Sequence, residues 1–225
     1  MKYSDFPYKR IDINKLRKEV KKMIDEFRSS KTANKQIKIL QEYQSLQYEF
    51  QTYASIAHLN FARNTKDKKA IEENKYYDQI SPEIAEIDNQ FTKEINTSKF
   101  KKDLIIKFGK HFFNLIDMEI KSFDPKLVDL MKKENEIKNE YRSLLAGAEI
   151  KYKDKVLNLA GLSPYMQDTN RKTRKEVYEL MDNFFKKNEN DLDSIFDKLV
   201  KIRNKKSQIL NLSILNGKIF RNTLI

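Results

Sequence analysis

Two histidines, His58 and His111, are the residues of this 225-residue chain best suited to bind a transition metal or to transfer protons. A helix that binds zinc through two histidines carries them four residues apart, because positions i and i+4 share one helix face. Neither histidine has a second one at that spacing. A di-iron helix needs a glutamate three residues before the histidine, and Ser55 and Phe108 occupy those positions. We therefore interpret both histidines as satisfied core or boundary residues.

Carboxylates occur in pairs at helical spacing, Glu83 with Glu86 and Glu136 with Glu140. General acid–base catalysis needs one carboxyl group of a pair to be buried with a shifted pKa, whereas we interpret these pairs as part of a solvated helix surface. The chain has no cysteine, no two glycines within ten residues of each other and no Gly-x-Ser-x-Gly elbow. These absences exclude thiol chemistry, a glycine-rich phosphate loop and that type of serine nucleophile. The sequence therefore predicts no catalytic, cofactor-binding or metal-binding residue.

The chain is basic, with 45 Lys and Arg against 33 Asp and Glu and a net charge of +12. Residues 201–225 contain six basic residues and no acid, so half of the net charge lies there. Lysine outnumbers arginine, although specific recognition of phosphates and bases depends on the arginine fork. Nucleic-acid binding is therefore not predicted, since basic charge alone gives only salt-sensitive association.

No apolar run approaches the roughly 18 residues of a membrane span, and the mean hydropathy is −0.76. The first ten residues are polar and do not resemble a signal peptide. We expect no membrane association and a cytoplasmic location, with which the absence of cysteine is compatible.

The elements that must position any site are predicted to be mostly helices, because only four glycines and four prolines interrupt the chain. Apolar residues recur at three- and four-residue steps in most segments. Ser81-Pro82-Glu83 and Asp124-Pro125 place a capping residue before a proline, which predicts the start of a helix at each, and Gly109 predicts a break. The predicted helices cover residues 12–29, 32–63, 72–80, 81–95, 97–108, 111–122, 124–145, 159–166, 170–187 and 189–210.

The apolar period changes to two residues around 148–158, where the sequence predicts a small β-hairpin. The predicted fold class is therefore mainly α, a multi-helix elongated domain with one small β-hairpin. We find no flexible linker and no internal repeat in the sequence.

Short segments spread along the chain, in this order, resemble the N-terminal region of the oligoendopeptidase F family, zinc metallopeptidases related to thimet oligopeptidase. The resemblance extends over about residues 1–206 and leaves 207–225 as a divergent basic and apolar tail. The matching segments are 5–10, 80–82, 108–110, 123–125, 134–135 and 148–150, then Leu159, Leu162, Ser163, Pro164, Tyr165, Met166, Asp168, Arg171, Arg174, Phe184, Phe185 and 199–203.

The resemblance implies that this region forms one wall of a deep substrate cleft. In the family, the zinc ligands and the general base lie further along the chain, on a His-Glu-x-x-His helix and on a later helix that supplies a glutamate. A zinc-activated water attacks the peptide carbonyl in the complete enzyme. None of those positions exists in this sequence, so no catalytic or metal residue is carried over.

Two functions follow as expectations. The first is a cleft-wall segment of such a peptidase, inactive alone, with peptides or a C-terminal catalytic half as partners and zinc only in the complete enzyme. The segment would then arise from a truncated or frameshifted reading frame, or be a separately encoded half. The alternative is a stand-alone helical protein, derived from such a peptidase, that binds a peptide or protein or acts as a scaffold.

The tail carries apolar residues at Ile209, Leu212, Ile214, Leu215, Ile219, Phe220, Leu224 and Ile225. Together with a cleft wall that lacks its partner, this tail predicts self-association, since large exposed apolar patches mark interfaces. A monomer in which the tail folds back is the other interpretation.

Overall fold

A computed structural model of the chain describes residues 7–211. This part of the chain is mainly α-helical with a single hairpin, which confirms the predicted fold class. The helices are α1 (Ile13–Ser29), α2 (Ala33–Arg63), α3 (Lys68–Asn96), α4 (Lys101–Phe108), α5 (Lys110–Ser122), α6 (Val128–Ala146), α7 (Leu159–Met166), α8 (Arg171–Lys187) and α9 (Glu189–Ile209), and the strands are β1 (Ile150–Tyr152) and β2 (Lys155–Leu157). Residues 1–6 and 212–225 lie outside the described residues, and with them most of the tail on which the self-association prediction partly rests.

The described chain divides into two compact units, and the division falls inside α6. The N-terminal unit contains the residues up to Lys132 together with 208–211, and the C-terminal unit contains residues 133–207. No helix in the described range is both long enough and apolar enough to cross a membrane.

The first two helices begin where their capping residues predict. The side chain of Asp12 accepts hydrogen bonds from the backbone N–H groups of Asn14 and Lys15, at 2.9 and 3.1 Å. Thr32 does the same for Lys35 at the start of α2. These bonds satisfy N–H groups that have no partner inside the helix.

Helices α2 and α3 form an antiparallel hairpin joined by only four residues, 64–67. Contacts between them run in opposite directions along the two helices: Tyr43 meets Asp88, Phe50 meets Tyr77 and His58 meets Asn74. Helix α1 runs parallel to α3, because Arg17 pairs with Glu83 and Arg28 with Glu94.

The core of the N-terminal unit lies between these helices and α4 and α5. Phe91 of α3 is fully buried at its centre. Its ring makes edge-to-face contacts with Phe27 of α1 and Tyr43 of α2, at centroid distances of 5.3 and 4.3 Å. Such pairs add to the free energy already gained by burying aromatic area.

Helix α3 is continuous, so the prediction of a new helix start at Ser81-Pro82 is wrong. Pro82 lies inside the helix and is buried, although it has no backbone N–H to donate. The Ser81 hydroxyl donates to the carbonyl of Tyr77 at 2.6 Å. Ile80 and Ile84 are buried on either side, and this tertiary packing outweighs the local signal for a helix start. The helix also begins earlier than predicted, at Lys68, with Asp67 as its cap.

The predicted break at Gly109 is confirmed, since this residue separates α4 from α5. Its φ of +89° is one that glycine adopts without the steric penalty of a side chain. The α4 helix begins at Lys101, a few residues later than the predicted start at Thr97-Ser98. The Asp124-Pro125 signal is followed by a 3-10 turn, Pro125–Leu127, that leads directly into α6.

The C-terminal unit combines an antiparallel helix pair with the hairpin. Helices α6 and α9 run in opposite directions, because Glu134 pairs with Arg203 while Glu140 pairs with Lys198. Strands β1 and β2 pair in the register Ile150↔Leu157, so the predicted hairpin is confirmed. The hairpin packs with α7 and α8 around a small core of Ala148, Ile150, Tyr152, Leu162 and Val177.

Candidate functional site

The structure places neither histidine in the core. His111 lies exposed on the first turn of α5, and His58 lies exposed on α2 beside a groove between α2 and α3. The core interpretation of both residues is therefore wrong, whereas a boundary position describes His58. A buried histidine needs hydrogen-bond partners from the protein for both ring nitrogens. At exposed positions such as these, water can take that role.

The groove beside His58 has a volume of about 520 Å³ and belongs entirely to the N-terminal unit. Small side chains at Ala54 and Ala62 leave space beside the α2–α3 contact, and Tyr77 contributes an aromatic surface. The groove is lined by Ala54, Ser55, His58, Leu59, Ala62, Asn74, Tyr77, Asp78 and Ser81. It therefore combines apolar walls with a polar edge, the composition typical of small ligand sites.

A chain of hydrogen bonds fixes the imidazole of His58 at the polar edge. The buried Asn74 side chain donates from Nδ2 to the carboxylate of Asp78 at 2.7 Å, and its Oδ1 lies 3.1 Å from Nδ1 of His58. A carboxylate accepts hydrogen bonds only, so the amide nitrogen must face Asp78 and Oδ1 must accept from His58. Nδ1 is therefore the donor in this contact, and in the neutral tautomer that has its proton on Nδ1 the other nitrogen, Nε2, is an acceptor.

This arrangement suits hydrogen bonding better than bond cleavage or metal binding. An oriented imidazole beside an apolar groove can accept a hydrogen bond from the N–H group of a ligand. Among residues 7–211, no group of three His, Asp or Glu side chains is placed to hold a metal ion. Zinc needs three or four converging ligands, so the donor set of the described chain does not fit the zinc ion of the resembling family.

A second polar cluster joins the segment before α1 to α3. The Arg10 guanidinium binds Glu73 through Nε at 3.0 Å and lies over the ring of Tyr76, 4.7 Å from its centroid. The hydroxyl of Tyr8 also donates to Glu73. The hydrogen bond from Arg10 holds the pKa of Glu73 below its ordinary value. These contacts fasten Tyr8 and Arg10, in the segment before α1, to helix α3.

One member of each carboxylate pair noted in the sequence is bound by basic side chains. Glu83 binds Lys132 at 2.6 Å and Arg17 at 2.8 Å, and the hydrogen bond from Lys132 lowers its pKa. Glu140 pairs with Lys198 at 2.9 Å on an exposed surface. A carboxylate whose pKa is lowered by bound cations, as for Glu83, is poorly suited to act as a general acid at neutral pH.

Sequence reasoning missed the carboxyl groups that are most strongly removed from water. Asp88 of α3 is half-buried and accepts from the hydroxyl of Tyr43, and burial raises its pKa. Glu134 of α6 is buried and is bound by three cationic side chains of α6 and α9. A sign of buried polar groups that the sequence does offer is a polar residue at the three- and four-residue spacing of apolar ones. Asn74 and Asn89 show this pattern and lie on the buried face of α3.

Comparison with known proteins gives a family match and several similar structures. The sequence profile of the peptidase M3 N-terminal domain matches residues 3–123. A solved structure assigned as an oligoendopeptidase F superimposes with a TM-score of 0.91 over 95% of this chain, at 29% identity. The comparison with curated proteins gave no match.

Two further solved structures agree with this result. PZ peptidase A, solved with an inhibitor, has a TM-score of 0.90 over 94% of this chain at 30% identity. A protein of Bacillus anthracis str. Ames, also assigned as an oligoendopeptidase F, has a TM-score of 0.90 over 93% at 28% identity. The chain spans only 38 to 39% of the length of these three solved chains.

Proposed function

The chain belongs to the peptidase M3 family through its N-terminal domain, and we propose that it forms the helical wall of a peptide-binding cleft. It corresponds to the N-terminal part of an oligoendopeptidase-F-like peptidase. The observation that carries the proposal is the superposition of nearly the whole chain on about two fifths of such a protein. The remaining three fifths of those chains have no counterpart here.

The groove between α2 and α3 supports a role in holding peptide. A peptide backbone presents N–H donors at regular intervals, and Nε2 of His58 is an acceptor of fixed direction. Leu59 and Tyr77 supply apolar surface beside it for a side chain. Binding of this kind orients a peptide without breaking a bond, which is the role expected of a wall rather than of a catalytic centre.

In this proposal peptide hydrolysis and zinc belong to residues outside the chain. Among residues 7–211, His58 belongs to no group of three His, Asp or Glu side chains that could hold a metal ion. The purified chain is therefore expected to bind no stoichiometric zinc and to cleave no peptide above background. Elemental analysis and a quenched fluorescent peptide assay measure both quantities, and about one tightly held zinc per chain would contradict the proposal.

A complementation assay tests the cleft-wall role directly. The chain is mixed with the remaining C-terminal segment of a close family member, and peptidase activity is compared with that of either part alone. Activity that appears only in the mixture supports the proposal. His58→Ala should then raise KM more than it lowers kcat, whereas the exposed His111→Ala serves as the matched control and should change neither.

The alternative is a stand-alone protein that binds peptides or protein segments. It is favoured by one observation, namely that the groove and its oriented imidazole lie wholly within this chain. A peptide library screened against the chain alone separates the two functions. Binding that is lost in His58→Ala, together with no gain of activity on mixing, would favour the stand-alone role.

A further inference from the structure

The carboxylate of Glu134 is surrounded by more positive charge than it can neutralise. Its side chain is 3% exposed and lies 3.1 Å from Nε of Arg203, 2.8 Å from Nζ of Lys206 and 3.4 Å from Nζ of Lys138. One negative and three positive charges leave this group with a net charge of +2. Two other acids of the same helices, Glu140 and Asp197, are bound to Lys198 and Lys201.

The guanidinium of Arg203 uses only part of its donor capacity. Nε donates to Glu134, and within residues 7–211 no group accepts from Nη1 or Nη2. The Arg203 side chain is 14% exposed and Lys206 is 18% exposed, so both reach solvent while most of their surface is covered. A guanidinium can bind an oxyanion through two parallel N–H···O bonds, and its Nη atoms are the ones left for this.

We propose that Arg203, Lys206 and Lys138 form an oxyanion-binding site at the surface of the α6–α9 pair. Its ligand is a phosphate ion or the carboxylate of a peptide, two groups that share the paired oxygen atoms recognised by the guanidinium. Glu134 positions the cations and is not itself a contact of the ligand. This site lies in the C-terminal unit and does not depend on the proposed cleft function.

An anion is expected to bind here because the cluster carries excess positive charge and is partly removed from water. Cations that are mostly covered by protein lose hydration, and their mutual repulsion is screened less than in bulk water. An arriving anion reduces this repulsion and satisfies the Nη donors at the same time. Hydrogen bonds between two charged groups are about twice as strong as neutral ones, so a small anion can bind here without an enclosing cavity.

Three single substitutions in the full chain, and one control, test the proposal. Arg203→Gln removes the fork, Arg203→Lys keeps the charge but not the two-pronged geometry, and Lys138→Gln removes a charge while leaving the two shortest contacts of Glu134 intact. Lys198→Gln is the matched control, because it removes one positive charge from the same helix pair outside the cluster. Circular dichroism checks that each variant is folded.

Binding is measured by NMR titration with inorganic phosphate, with acetate and with a short glutamate-containing peptide compared with its glutamine counterpart. We expect saturable shifts in α6 and α9 for phosphate or for the carboxylate peptide, and Arg203→Gln should weaken them about tenfold or more. Arg203→Lys and Lys138→Gln should weaken them by smaller factors, and Lys198→Gln by less than about twofold.

The same titration distinguishes the two kinds of ligand, a free phosphate ion and a peptide carboxylate. Preference for the glutamate peptide over its glutamine counterpart identifies a peptide carboxylate, and saturation by phosphate alone identifies a free oxyanion. The proposal fails if no anion saturates the site. It also fails if Lys198→Gln weakens binding as much as Arg203→Gln, since the effect would then be general surface charge.

Discussion

Each unit of the described chain contains a carboxyl group that is largely removed from water, and the pKa values of these two groups are shifted in opposite directions. In the N-terminal unit, Asp88 has only neutral hydrogen-bond donors, and burial raises its pKa against the bonds from Tyr43 and Gln47. In the C-terminal unit burial also opposes ionisation of Glu134, but Lys206, Lys138 and Arg203 outweigh it and lower its pKa to about 2. The first group is penalised when charged, and the second is stabilised when charged.

The difference reflects how much apolar surface each unit buries. Within residues 7–211, the main cluster of the N-terminal unit contains eighteen buried apolar residues, whereas the two clusters of the C-terminal unit contain five and three. A large core tolerates an imperfectly paired carboxyl group. A small core has less apolar burial to offset such a cost, and there the charge is compensated by salt bridges between the helices.

The largest expected effect tests the core of the N-terminal unit. Phe91→Ala removes a fully buried ring at the contact of α1, α2 and α3, and should cost about 3 to 5 kcal/mol of the free energy of unfolding. Urea unfolding followed by circular dichroism measures the loss. Leu115→Ala on the exposed face of α5 is the control and should change stability by less than about 0.5 kcal/mol.

Glu134→Gln should cost about 3 kcal/mol and act first on the C-terminal unit, because it leaves three cations around a neutral amide. Hydrogen exchange of α6 and α9 amides should accelerate more than that of α2 and α3. Glu140→Gln, which breaks one exposed ion pair, serves as the control with an expected effect below about 1 kcal/mol. Equal losses in the two variants would remove the distinction between buried and exposed pairs.

Acid should lower the stability of the C-terminal unit over a defined pH range, because Glu134 becomes protonated there. The pKa of this group is about 2 in the folded chain and about 4.5 in the unfolded one, so its contribution is fully present above pH 4.5 and is lost as pH falls toward 2. The difference between these two pKa values corresponds to a contribution of about 3 kcal/mol. It is measured as the difference in stability between the wild type and Glu134→Gln at several pH values, which should shrink over that range. A difference independent of pH would show that ionisation of Glu134 is not responsible.

The smallest expected effect is a gain in stability, whereas the substitutions above cause losses. Asp88→Asn removes a penalised charge and keeps an acceptor for the Tyr43 hydroxyl, so it should stabilise the chain by about 1 kcal/mol at pH 7. Because the pKa of Asp88 is raised on folding, the gain should disappear as acid protonates the wild-type group. Thermal unfolding at pH 7 and at pH 3, which is below the ordinary pKa of an aspartate, measures both points. Destabilisation at pH 7 would mean that the charged form is favoured, contrary to the contrast with Glu134.

Sequence reasoning recovered the elements whose determinants are local. Helices α1 and α2 and the hairpin follow from apolar spacing and from capping residues such as Asp12 and Thr32 that act within three residues. The continuity of α3 through Pro82 could not be recovered, because the packing that maintains it involves residues far along the chain. Local signals alone favoured a helix start there.

The candidate sites were beyond sequence reasoning for a similar reason. Asn74 reaches His58 across 16 residues, and Arg203 reaches Glu134 across 69. In the sequence Glu134 is one acid within a lysine-rich segment, indistinguishable from neighbours that stay exposed. Only the pairing of α6 with α9 shows that it is buried, and pairing of helices is a tertiary property.

The four-residue connection between α2 and α3 has a kinetic consequence. Closing so short a loop costs little chain entropy, and the contacts nearest to it, such as His58 with Asn74, join residues close in sequence. Contacts further along the hairpin, up to Tyr43 with Asp88, can then form in succession from that end. We expect the hairpin to zip from its turn and to be structured in the folding transition state, so substitutions near the turn should slow folding while those in α6 and α9 mainly speed unfolding.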